Sequence, residues 1–210
     1  GHDTSNSWKV EVNHNHGWQG QPWIAHTLAE VRGSGWPKGL RDARGVRDSI
    51  MEDGNPNGFY VLRFDDNALT PDFIPFPFGP DAAQRLRITL DPPLSETEGD
   101  SINRGTARTD TKVVVNLFDG GVRDSVWAFI DGGDPQPMTY TVRTDPFVER
   151  LDSKYQDTDS EYSRAARSSH IWEMNLPDGL GEGLHTVEIK SEDEFGQQRA
   201  GAMTFEILNQ

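Results

Sequence analysis

Val113-Val114-Val115-Asn116-Leu117-Phe118-Asp119-Gly120-Gly121 is the stretch on which the fold turns. Five of its first six residues are apolar, three of them β-branched, and an Asp-Gly-Gly turn closes it. A strand with one wet face alternates apolar with polar residues, whereas a nearly unbroken apolar run ending in a turn is the pattern of a strand covered on both faces. The run is too short for an ordinary helix and has the usual length of a strand. It is predicted to be the central core strand, with the segments after it as its sheet partners.

Working outward, the downstream chain supplies Ser125–Ile130, Met138–Arg143, His170–Leu176, Leu184–Lys190 and Met203–Ile207, each short and each carrying strand residues. In Leu184–Lys190 the side chains of His185, Val187 and Ile189 fall on one face and Thr186, Glu188 and Lys190 on the other. The polar stretch 145–167 is the long exception, with a helical turn or two expected around 146–154. Upstream, Leu86–Leu90 alternates cleanly, Phe59–Phe64 reads as a strand, and Phe73–Phe76 as an edge strand that tolerates Pro75. Residues 91–111 read as a loop or linker, and Asp53-Gly54-Asn55-Pro56-Asn57-Gly58 is dense in turn residues. The opening 35 residues hold two short strands, Trp8–Val12 and Ile24–Val31, but few apolar residues for a core of their own. Short strands between Gly/Pro turns, with no βαβ rhythm, predict an all-β, antiparallel sandwich of immunoglobulin-like type behind an irregular N-terminal segment.

The totals narrow the partners. Against 20 basic residues stand 34 acidic ones, a net charge of −14. Such a surface repels phosphate backbones and anionic lipid, so nucleic acid and membrane surfaces are excluded as partners. No apolar run approaches the ~20 residues that span a bilayer, and the first residues do not form a signal peptide. Cysteine is absent, which removes disulfides and thiolate metal sites.

Five motifs, taken together, resemble the C-terminal region of secreted bacterial calcineurin-like metallophosphoesterases: Asp53–Phe59, Val114–Gly121, Asp145-Pro146-Phe147, Ser168–Trp172 and Glu192–Gly196. The opening extends the resemblance upstream, because Gly1-His2-Asp3-Thr4, Gly17-Trp18-Gln19-Gly20, His26 and Gly33-Ser34-Gly35-Trp36 are similar to the end of the family's catalytic domain. The resemblance implies residues 1–35 as the tail of that domain and 36–210 as a C-terminal β-sandwich. It implies a parent that hydrolyses phosphate mono- or diesters with two divalent metal ions, in the periplasm or outside the cell. The partner of this chain would be the catalytic domain of the same polypeptide, against which the sandwich packs.

The same resemblance implies that the chain alone is inactive. The family's metal ligands lie mostly in an Asp-x-His, Gly-Asp, Gly-Asn-His succession that does not occur here. Of the Gly-His-x-His motif only His2 remains as a candidate metal ligand, the second position being Thr4, and one histidine cannot hold a two-metal site. Gly1-His2 is also what a cleaved affinity tag leaves behind. No catalytic residue and no cofactor are therefore assigned within the chain. Among the remaining groups, His14 and His16 share one strand face, and Asp65-Asp66-Asn67 and Asp152–Glu161 offer oxygens without the ligand spacing of a calcium loop. His170 and His185 read as structural. No nucleophile elbow, P-loop or dinucleotide fingerprint occurs. The alternative class is a stand-alone binding module for carbohydrate or Ca²⁺, with Trp127, Trp172, Tyr140 and Tyr162 as a stacking platform, although alternation favours the core for at least one of these tryptophans.

Overall fold

The computed structural model describes residues 51–56, 58–66, 68–75, 85–94, 103–106, 110–157 and 164–208, together with the backbone of 8–11 and 23–26. In chain order the strands are β1 (Trp8–Glu11), β2 (Trp23–His26), β3 (Gly58–Asp65), β4 (Ala68–Pro75), β5 (Leu86–Asp91), β6 (Asn103–Gly105) and β7 (Lys112–Leu117). They continue with β8 (Ser125–Ile130), β9 (Gln136–Pro137), β10 (Thr139–Thr144), helix α1 (Pro146–Tyr155), β11 (Arg167–Asn175), β12 (Gly183–Glu192) and β13 (Gln198–Ile207). Two sheets form the body, one ordered β10-β11-β7-β5 and the other β6-β13-β12-β8-β9. Every pairing in them is antiparallel except β13 with β6.

β7 is interior to its sheet, as its composition requires, and Val113 through Leu117 are all buried. Its neighbours differ from the expectation. β5, which precedes it, pairs along one edge and β11 along the other, while β8, β12 and β13 form the opposite sheet. The reason lies in the Asp-Gly-Gly turn: Asp119 takes φ 63 and Gly120 N–H closes on the Leu117 carbonyl, so the chain leaves the layer instead of folding into a hairpin. The loop assigned to 91–111 likewise contains a short strand, β6, which lies parallel on the edge of β13.

The core sits between the sheets. Val113, Val115, Leu117, Leu86, Leu90 and Trp172 project from one layer and Val126, Ala128, Val187, Ile189 and Phe205 from the other. Gly201 of β13 lets the layers close, since a Cβ there would lie 2.7 Å from the Leu86 side chain. The second face of β7 carries Val114 and Asn116, and it is this face that the functional site covers. Beside it run the ion pairs Lys112–Glu173, Arg143–Glu173 and Arg143–Asp91, which link β7, β11, β10 and β5.

The hairpin β3–β4 is a two-stranded ribbon. The middle of β4 is held to the body by polar ties: Arg85 and Arg199 both reach Asp72, at 2.9 and 2.8 Å, and Gln197 donates to the Pro71 carbonyl at 2.8 Å. An isolated hairpin is marginal in water, so these ties fix it in place. β1 and β2 form a separate two-stranded pairing. Among the described residues no helix is long and apolar enough to cross a membrane.

Candidate functional site

The site grows from the turn 51–56. Gly54 N–H bonds the Met51 carbonyl, Met51 N–H bonds the Asn55 carbonyl, and the Asp53 carboxylate accepts Asn55 N–H at 3.0 Å. Gly54 has φ +87, a left-handed conformation that costs glycine nothing. Its missing side chain matters as much as its backbone. A Cβ at this position would stand 2.4 Å from Asp145 Oδ2 and 2.7 Å from Asn116 Nδ2. The turn is thus pressed, backbone first, against the outer face of β7.

Asp145 is the hub beneath it, 1% exposed. One oxygen caps α1 by accepting Phe147 N–H at 2.8 Å, with Pro146 at the first helical position. The other accepts from Asn116 Nδ2 at 2.7 Å and pairs with the Arg87 guanidinium at 2.9 Å. Arg87 also donates to the Gly54 carbonyl at 3.0 Å and lies 4.1 Å over the Phe147 ring. Asn116 completes the circuit by donating to the Asp53 carbonyl at 3.1 Å. A buried charge pair is tolerable only when its remaining hydrogen-bonding capacity is met, and here the connecting turn supplies much of it.

A second group lies around the Asp-Gly-Gly turn. His170 is fully buried, with Nδ1 on the Gly120 carbonyl and Nε2 3.5 Å from an Asp53 oxygen. Tyr60, from β3, donates its hydroxyl to Asp119. Burial and the neighbouring Asp119 charge raise the Tyr60 pKa, so the phenol keeps its proton. Burial pushes the Asp119 carboxyl up to about 7, and that of Asp124 up to about 6. Both line a cavity of about 40 Å³ with Pro71, Arg85, Asp193 and Arg199. Asp193 closes its own turn by accepting from the amides of Phe195 and Gln197.

Five stretches far apart in sequence therefore meet at one place: Asp53-Gly54-Asn55, Asn116 to Gly120, Asp145 to Phe147, His170, and Asp193 to Phe195. A family model described as the C terminal of calcineurin-like phosphoesterase matches residues 25–198. The chain belongs to the calcineurin-like phosphoesterase family, as its C-terminal region. No curated protein gives a significant match. In this calcineurin-like C-terminal region the motifs are not spread over the surface as separate sites. They are the parts of a single buried junction between a turn, a hairpin and a sandwich.

The junction does not fit the family's metals. Among the described residues no three His, Asp or Glu side chains come together as a ligand set. Asp145 is committed to Arg87, Asn116 and the helix cap, and His170 to Gly120 and Asp53. His2, Thr4, the His14–His16 pair, residues 33–36, Asn67 and residues 158–161 lie outside the described residues, as does Tyr162. His26 lies at the end of β2. His185 bonds Asp131 at 2.7 Å and the Gly181 carbonyl at 2.8 Å while stacking on Phe205, a structural role.

The aromatic platform is corrected by the layers. Trp172 is 2% exposed in the core, with Tyr140 packed edge-on against it at 5.2 Å. Trp127 is different: with Phe129 it faces outward from β8 and lines an open groove of about 500 Å³ with Lys190, Gln198 and Arg199. Sequence reading missed Arg87 and Tyr60. Both occupy ordinary alternating strand positions, and only the pairing of β5 with β7 and of β3 with β4 brings them to the junction.

Proposed function

We propose that this chain is the accessory C-terminal sandwich of a secreted calcineurin-like metallophosphoesterase, and that the buried junction fastens the segment leading from the catalytic domain. On this reading residues 1–35 are the tail of the catalytic domain and 36–210 the sandwich. The parent acts on phosphate mono- or diesters with two divalent metals, held mostly by residues ahead of Gly1 with His2 as the candidate ligand within this chain, in the periplasm or outside the cell.

The observation that carries the reading is the junction itself. The turn 51–56 arrives from the N-terminal side and is clamped by hydrogen bonds from Arg87 of β5 and Asn116 of β7 and by the contact of His170 of β11 with Asp53. Ala166 N–H adds a bond to the Glu52 carbonyl at 2.8 Å. A clamp of this kind passes the orientation of the sandwich to whatever precedes it, as walling a substrate cleft requires. The coding sequence ahead of Gly1 tests this. In-frame Asp-x-His and Gly-Asn-His blocks support the proposal, and a signal peptide directly before Gly1 sinks it.

A second reading, a stand-alone carbohydrate module, draws support from the Trp127–Phe129 groove. Aromatic faces beside amide and charged side chains suit stacking on sugar rings. Glycan-array hits that vanish in Trp127→Ala would favour it; an array without hits leaves the accessory-domain reading ahead.

A further inference from the structure

The junction's acid–base state follows from which atoms face one another. His170 Nδ1 meets a carbonyl oxygen and must carry a proton. Its Nε2 lies at ion-pair distance, 3.5 Å, from an Asp53 carboxylate oxygen and makes no hydrogen bond. A bare Nε2 would set its lone pair against a carboxylate inside the protein; a protonated Nε2 turns that contact into an ion pair. One turn away, Asp119 receives the Tyr60 hydroxyl and shares its cavity with Asp124 and Asp193. Arg85 and Arg199 reach the same cavity, but both are engaged with Asp72. Three carboxylates thus crowd a space of about 40 Å³, with His170 as a neighbouring cation that favours their charged forms.

We propose that His170 is a proton-controlled latch: with its imidazole charged, Asp53 fastens the 51–56 turn to the sandwich, and loss of the proton at Nε2 releases it. The tie that opens is Asp53 to His170; the Tyr60 hydroxyl, which donates to Asp119, holds in either state of that carboxyl. Other charged groups reach the turn and its neighbours from every side. Arg87 and Asp145 touch the turn from β5 and the α1 cap, Arg63 and Asp72 lie on the hairpin, and Glu194 pairs with Arg123 beside Asp193.

The direction of the response is uniform. Burial works against charge on His170, but Asp53, the Gly120 carbonyl and Asp119 outweigh it and hold the imidazole above its usual 6.5. Burial likewise holds Asp119 and Asp124 above the usual 3.8. A group raised in the folded state contributes its full stability below its usual value and loses it as pH rises through the raised one. All three therefore weaken the junction as the solution turns from mildly acid to mildly alkaline. The latch rests on the accessory-domain reading only for what the turn leads to; the titration belongs to this chain alone.

Amide hydrogen exchange on the full chain, corrected for intrinsic pH dependence, tests it. Gly54 and Ala166 report the turn and Val115 the core. Protection at Gly54 and Ala166 is expected to fall by at least about tenfold between about pH 5 and 9, the factor that one unit of pKa difference represents, while Val115 changes far less. Asp119→Asn is expected to shrink that fall. Imidazole ¹⁵N shifts of the unmodified chain are expected to mark His170 as doubly protonated at about pH 6. Protection that is independent of pH, a neutral His170 at that pH, or parallel loss at Val115 would each overturn the latch, and the measurements on the unmodified chain decide even if the variant misfolds. None of these outcomes bears on what lies ahead of Gly1, so the failure of the latch and the failure of the family role are told apart.

Discussion

Gly54 and Asp145 face each other across the tightest contact of the junction, and each fails differently when changed. Gly54→Ala meets two penalties at once: an L side chain at φ +87, and a Cβ 2.4 Å from a carboxylate oxygen in a packed layer. Left-handed strain and forced repacking together predict a loss of about 2–3 kcal/mol or more in unfolding free energy, read by urea denaturation. A loss under about half a kcal/mol, the scale of an ordinary surface substitution, would mean that the turn lifts off freely and is no clamp. Asp145→Ala leaves Arg87 buried without its carboxylate and removes the helix cap and the Asn116 acceptor. Breaking a buried pair in this way predicts about 3–5 kcal/mol. Asp145→Asn keeps one acceptor oxygen and sets an amide donor against either the Phe147 N–H or the Arg87 and Asn116 donors, so it should fall between the two proteins; stability equal to that of the native protein would mean that neither the charge nor the second acceptor contributes.

At the scale of elements, the long hairpin β12–β13 is pinned at one end by an ion pair. His185 of β12 has both ring nitrogens on oxygen acceptors, the Asp131 carboxylate and the Gly181 carbonyl, which favours the imidazolium. The Asp131 hydrogen bond first, then the Gly181 carbonyl, raises its pKa above 6.5, and the same bond lowers that of Asp131 below 3.8. The His185 contribution is complete below 6.5 and fades as pH rises through its raised value. That of Asp131 is complete above 3.8 and fades as pH falls through its lowered one. Asp131→Asn should therefore bring the His185 titration, followed by NMR, back toward the usual imidazole value; an unmoved titration would show the link to be incidental. Legibility also divides at this scale. The alternation in β12 and the apolar run in β7 display their burial directly, because side-chain periodicity is a local property. The partners of β7 were not legible, because the turn at Asp119 decides whether the chain returns in the same layer or crosses to the other. The helix was expected around 146–154 and runs over Pro146–Tyr155, with Asp145 as the cap that fixes its start.

For the whole molecule, the five motifs were visible as a pattern and their meaning was not. As a sequence, Asp53 and Asp193 are turn residues within the motifs, and His170 reads as structural without a partner to name. Only the fold makes His170 a buried cross-link and Asp145 a cap with an arginine partner. Arg87, which ties the turn to the helix, carries no sequence signal beyond being a charged residue in a strand. The resulting account is of a domain whose polar machinery holds parts in place while the family's chemistry is performed elsewhere in the polypeptide. One measurement bears on this most directly: turnover of an aryl phosphate by the purified 210-residue chain with added Mn²⁺, with bound metal assayed in parallel. The account predicts no turnover above buffer and no tightly held metal, with activity gained when the upstream coding sequence is included. Turnover by this chain alone, lost on chelation and restored by its own stoichiometric metal, would contradict it.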